Sequence, residues 1–193
     1  MESCGSPRVI HLESWYKEAT SDPVTLAILK VRQDFIDRGA VECLFDIGSG
    51  FCEELVGEVE EKLGMPDHIY GVWPQQFALN NKDPWGPWDF DRDLLSRYWG
   101  ITSPPAGWTW EEISQVPFGG HIFLVDRKKN RFYDAEAPEG VKSFLGLPFF
   151  QRYLEAYGPK IRGTGVEDEK VWERARQKYL KQGYESYVEA HRE

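Results

Sequence analysis

The chain has 193 residues, a formal charge of −9, 41% apolar residues and 15% aromatic ones. This length leads us to expect a single domain over 1–193, and the apolar content excludes wholesale disorder. The acidity argues against nucleic acid as a partner, and apolar runs such as "IFLV" are far too short for a membrane span.

The opening "MESCGSPRVIHLESW" has no basic segment leading into an apolar one, and three cysteines do not form a paired framework. A reducing cytoplasm is the expected location. Residues 12–38 read as mainly helical, interrupted at "SDP". Ser21 or Asp22 can cap a new helix, and Pro23 suits its first position. Val24, Ile28, Val31 and Phe35 then share one face, Leu29 and Ile36 widen it, and Gly39 marks the stop.

Residues 41–73 read as a short strand or turn through "LFDIGSG", a helix from about Phe51 to Leu63, and a strand "HIYGVW". Residues 74–117 are a Trp-, Pro- and Asp-rich insert with a short helix at "DRDLLSRYWG". Its "DFDRD" (Asp89, Asp91, Asp93) imitates the start of a calcium loop, but the Gly and the late Glu are missing, so no metal is expected. Residues 118–138, which include "GGHIFLVDRKKNRFYDAEAP", read as a β-hairpin with a polar tip. Residues 166–190 read as a C-terminal helix, its acidic start "EDEK" suited to the positive end of the helix dipole.

The stretch "LFDIGSGFCEELVGEVEEKLG" supports two rival chemistries. An apolar strand, an acid and Gly-x-Gly resemble the cofactor loop of methyl-donor-dependent methyltransferases, but Cys52 stands where a third Gly belongs and no second acid follows. The other chemistry makes Cys52 a nucleophile. Gly48 and Gly50 allow a tight turn, and the helix N-terminus beyond it lowers a thiol pKa. Glu53 and Glu54 in the first turn partly oppose that effect. A thiolate also needs a base and an orienting acid. His121 opens the first hairpin strand and Asp134 closes the second, so antiparallel pairing brings them together.

These residues resemble the transglutaminase-like branch of papain-fold cysteine enzymes: a Cys at a helix start, a His on one strand and an Asp on the next. "GSGFCEELVGEVEEKLGMPDHIYGVW" is similar to that family's nucleophile segment, and the hairpin is similar to its His and Asp strands. The stretch "FYDAEAPEGVKSFLGLPFF" is also similar to small bacteriophage proteins. The resemblance implies an α+β papain-like fold, with an antiparallel sheet packed on the Cys52 helix. It also implies a Cys52–His121–Asp134 triad acting on a protein or peptide amide, without a cofactor.

The expected reaction is therefore cysteine-dependent amide hydrolysis or acyl transfer through a thioester, as in a protease, amidase or deamidase. The backbone N–H of Cys52 is the first candidate oxyanion donor, with Trp73, Gln75 or Gln76 as a second. The alternative of a different class is a protein-binding, host- or defence-directed module with an inactive papain-like fold. Glu136 is the substitute orienter, and Asp46 a loop-ordering residue. Cys4 and Cys43 read as a tail and a core thiol, and His11, His68 and His191 as structural or solvated. Trp73, Trp85, Trp88, Trp99, Trp108 and Trp110 read as core and lid packing, or as a wall beside the triad.

Overall fold

The computed structural model describes residues 21–79 and 88–190. Residues 12–20 of the expected first helix, together with Cys4, His11, Trp85 and His191, lie outside the described residues.

Helix α1 (Pro23–Asp37) starts as the sequence indicates. Asp22 is the N-cap, its Oδ1 accepts the Val24 N–H at 3.0 Å, and Pro23 takes the first turn. Gly39, at φ +68°, turns the chain away after its end.

The segment expected as a strand or turn is a helix, α2 (Leu44–Gly50), and α3 (Cys52–Lys62) follows after one residue. Composition does not favour a helix here, so its support comes from side chains. Asp46, at the third helical position, accepts the Glu42 and Cys43 N–H groups at 3.1 and 3.2 Å, and Arg176 holds its other oxygen at 3.1 Å. Both glycines are helical, and Gly48 serves packing: a Cβ on it would stand 3.0 Å from Glu136 Oε1. The strand and glycine loop required for a methyl-donor site are not formed at this position.

Strand β1 (Ile69–Val72) pairs antiparallel with β2 (Phe123–Asp126), which pairs antiparallel with β3 (Arg131–Tyr133), giving the order β1-β2-β3. The fold is thus mixed α+β, with a small three-stranded antiparallel sheet. The pleat divides the core. Val72, Phe123, Val125 and Phe132 join an aromatic cluster, while Ile69, Leu124 and Tyr133 face the cluster built by α1 and α3. On the outer edge of β1 the Gly71 N–H donates to Glu60 Oε1 at 2.7 Å.

Within 74–117 lie a 3₁₀ turn (Pro74–Phe77), α4 (Arg92–Trp99) and α5 (Trp110–Ile113). Asp91 of the "DFDRD" motif is the N-cap of α4, accepting the Leu94 N–H at 2.9 Å. Trp88 and Trp99 are buried in the aromatic cluster, and Trp108 and Trp110 pack against it.

Helix α6 (Pro148–Ile161) was not expected either, and it is preceded by a 3₁₀ turn at Phe144–Gly146. It puts Phe150 and Leu154 into the aromatic cluster, with Tyr157 and Ile161 against it. The last helix, α7 (Lys170–Ala190), starts four residues later than the sequence suggests, 166 to 170. No helix among the described residues is long and apolar enough to cross a membrane.

Helix α3 crosses the sheet where Gly71 faces Val56: a Cβ at position 71 would come within 2.5 Å of Val56 Cγ1 and 3.0 Å of Ile122 Cδ1. Gly71→Ala is therefore expected to destabilise the fold by about 1–3 kcal/mol in urea titration. Adding Val56→Ala should recover part of the loss. Strictly additive losses would show that the two positions do not share this contact.

Candidate active site

The site assembles where α2 and α3 meet. Phe51 is at once the C-cap of α2 and the N-cap of α3, at φ −122° and ψ 19°. Its ring packs edge-on against Phe35 of α1, with centroids 5.8 Å apart. This anchor fixes the start of α3, so half-buried Cys52 occupies the first helical position, where backbone N–H groups have no partner inside the helix.

His121 lies two residues before β2, and Asp134 one residue beyond β3. The register pairs Leu124 with Tyr133, which extended outward would set 121 opposite 136 and 134 opposite 123. His121 and Asp134 are therefore diagonal neighbours on one face, a spacing a carboxylate and an imidazole can bridge. His121 Nε2 lies 3.3 Å from Asp134 Oδ2, with both side chains buried. Nδ1, also buried, has no hydrogen-bond partner among the described residues. It is the ring atom left to face the Cys52 thiol, and the two groups shift each other's titration.

Asp134 also caps the turn that follows it. Its Oδ1 accepts the N–H groups of Glu136 and Ala137 at 2.9 and 2.8 Å. One carboxylate oxygen thus caps the turn and the other faces His121 Nε2.

The substitute orienter Glu136 is engaged elsewhere. It forms a two-point ion pair with Arg152 of α6, 2.7 Å at each contact, with side-chain exposures of 1% for Glu136 and 8% for Arg152. Burial and the neighbouring Glu136 carboxylate push the Tyr179 phenol of α7 up, and the Arg152 guanidinium lies 5.0 Å from the centre of the Phe45 ring.

Electrostatics follow from these contacts. Burial alone would push the Cys52 thiol up. The hydrogen bond and charge of His121, with the N–H groups of Ile122 and of Cys52 itself, outweigh burial and hold it below its ordinary value. Burial alone would likewise favour neutral His121, but its hydrogen bonds and charge contacts with Asp134 and Cys52 raise it to about 9. Both shifts run towards a thiolate beside an imidazolium. Cys43 shows the contrast: it is buried against Asp46, and its thiol is pushed up.

The remaining candidates stand just beyond β1. Gln76 is exposed and lines an open groove with His68, Tyr70, Tyr98, Trp99 and Arg127. That groove flanks the Ile69/Asp126 end of the β1–β2 pair, whereas His121 stands beyond the Val72/Phe123 end. Trp73 and Gln75 are half-buried in the turn after β1, and the Gln75 Oε1 has no partner among the described residues. No hydrogen bond ties Trp73, Gln75 or Gln76 to the three central side chains among the described residues.

Two contributors escaped sequence reasoning. One is the Ile122 N–H, which its place beside His121 could have suggested. The other is Phe149 of α6, whose ring stacks on the His121 imidazole at 4.2 Å and 14°. Its sequence signal was the spacing Phe150, Leu154, Tyr157, Ile161 behind Pro148 at a helix start. Comparison with protein-family models, with curated proteins and with solved structures returns no match to this chain.

Asp134→Asn tests the electrostatic link. Asparagine keeps an oxygen for the two turn N–H groups but offers an amide donor to Nε2, so the His121 titration should fall well below about 9. In the parent protein, the raised value adds stability that is complete below pH 6.5 and is lost as pH rises through about 9. The substitution should therefore destabilise more at pH 6 than at pH 10, read by urea unfolding beside an NMR titration of the ring. An equal cost at both pH values would detach Asp134 from the His121 charge.

Proposed function

We propose that this protein is a cysteine hydrolase cleaving an amide of a protein or peptide through a Cys52–His121–Asp134 triad, on a papain-like, transglutaminase-like fold. The observation that carries the reading is a half-buried thiol at a helix start with its pKa lowered, beside a buried imidazole raised to about 9 and held by a carboxylate.

In this reading the Cys52 thiolate attacks the carbonyl carbon, and the electron pair of the C=O bond moves to oxygen. The backbone N–H of Cys52 stabilises that oxyanion. As the tetrahedral intermediate collapses, the imidazolium gives its Nδ1 proton to the departing amine and the thioester remains. His121, now neutral, takes a proton from water, whose oxygen attacks the thioester carbonyl and releases the acid and the thiolate. Asp134 keeps the ring oriented and balances its charge throughout.

Two measurements test the proposal. Iodoacetamide should alkylate Cys52 much faster than Cys43 at pH 7, with the Cys52 rate falling only as acid protonates the sulfur. With p-nitrophenyl acetate, a burst of one acyl group per chain should appear, with the acetyl mass on the Cys52 peptide. Cys52→Ala should abolish it, and His121→Ala should slow it by roughly a hundredfold or more. Equal alkylation of Cys43 and Cys52, or acylation unaffected by His121→Ala, would reject the enzyme and favour the binding module.

A further inference from the structure

The His121 ring has two edges and two faces, and the proposed chemistry uses only the edges. On one edge lies Asp134 at Nε2, and the Nδ1 edge is the one left for the Cys52 thiol. On one face lies Phe149, almost parallel at 14°, with ring centroids 4.2 Å apart. Phe150 meets the imidazole edge-on at 5.9 Å and Phe123 lies tilted at 6.3 Å. The stack is tighter than any other aromatic contact of this ring.

A parallel aromatic plate at this distance has two physical effects. It blocks rotation of the imidazole out of the plane that aims Nδ1 at the sulfur. It also presents the negative face of its quadrupole to a ring that carries a positive charge in one of its two states, so it favours the charged state over the neutral one. His121 is almost wholly withdrawn from water, at 1% exposure, where such an attraction is least screened.

We infer that Phe149 is a positioning residue for His121, which fixes the imidazole plane between Cys52 and Asp134 and stabilises its charged form. The inference rests on the thiolate–imidazolium pair proposed above and adds to it a component supplied by α6. The charged and titratable neighbours are accounted for. Cys52 comes from α3 and Asp134 from the segment after β3. Arg152 of α6 is bound to Glu136 and feels the charge of Asp134. Tyr153 of α6 approaches the Gly119 backbone, and Tyr179 of α7 the Glu136 carboxylate.

The test varies ring electronics at nearly constant shape. The full-length protein is prepared with mono-, di- and trifluorinated phenylalanine at position 149, and the His121 ring is titrated by NMR. Each added fluorine weakens the negative face, so the imidazolium titration should move down in steps while the melting temperature barely changes. Phe149→Leu removes the ring altogether and should lower the His121 titration by about one pH unit. Cys52 alkylation below neutral pH should slow in parallel, and Phe149→Tyr should restore both. A His121 titration independent of fluorination would overturn the role of Phe149 while leaving the triad standing. A parent protein whose His121 titrates near 6.5, the ordinary value, would overturn the ion pair itself and this inference with it.

Discussion

The four residues Asp134 to Glu136 and Ala137 follow the last strand without continuing its ladder, and the arrangement of the site depends on how they are held. Asp134 Oδ1 gathers the Glu136 and Ala137 N–H groups beneath it. Arg32 of α1, itself buried, donates to the Ala135 carbonyl at 2.9 Å. Arg152 of α6 grips the Glu136 carboxylate at both oxygens. A segment bound from three sides cannot rotate, so Asp134 Oδ2 is presented to His121 at a fixed angle. Removing any one grip leaves a buried polar group unsatisfied, which costs more than the bond itself is worth.

Around this segment the protein separates two tasks by face. The α1–α3 side of the sheet is aliphatic and supports the helix that delivers Cys52. The opposite side is aromatic, with Phe77, Phe123 and Phe144 stacked and Phe150 set edge-on to them, and it encloses the imidazole. Edge-to-face packing of this kind fills space with rigid plates that have few rotamers. A ring held within such plates has little freedom to leave its hydrogen bonds. The thiol, by contrast, lies at the boundary of the two faces and is only half-buried.

What the sequence revealed was local in origin. The start of α1 was legible because Asp22 and Pro23 act within one turn, and α3 because its apolar residues recur at helical intervals. The hairpin was legible because two apolar runs flank a polar tip, as suits strands covered on both faces, and with it the proximity of His121 and Asp134. Helix α2 was not legible, since Gly48, Ser49 and Gly50 carry weak helix propensity. Its stabilisation comes from Arg176, 130 residues away from Asp46. Helix α6 carried a helical signal that its run of adjacent aromatics and the internal Pro159 obscured. The stacking of Phe149 on His121 depends on how α6 docks, which no local pattern encodes.

The Glu136–Arg152 pair has a further consequence, for heredity. Gly48 is small where the Glu136 carboxylate passes, Arg152 neutralises that carboxylate, and the Tyr179 phenol lies beside it. Changing Glu136 alone strands a buried guanidinium, changing Arg152 alone strands a buried carboxylate, and enlarging Gly48 presses on the pair. These four positions can thus drift only as a set, through intermediates less stable than either end. Descendants of this chain should vary at them together or not at all, so that the history of one position can be read from the other three.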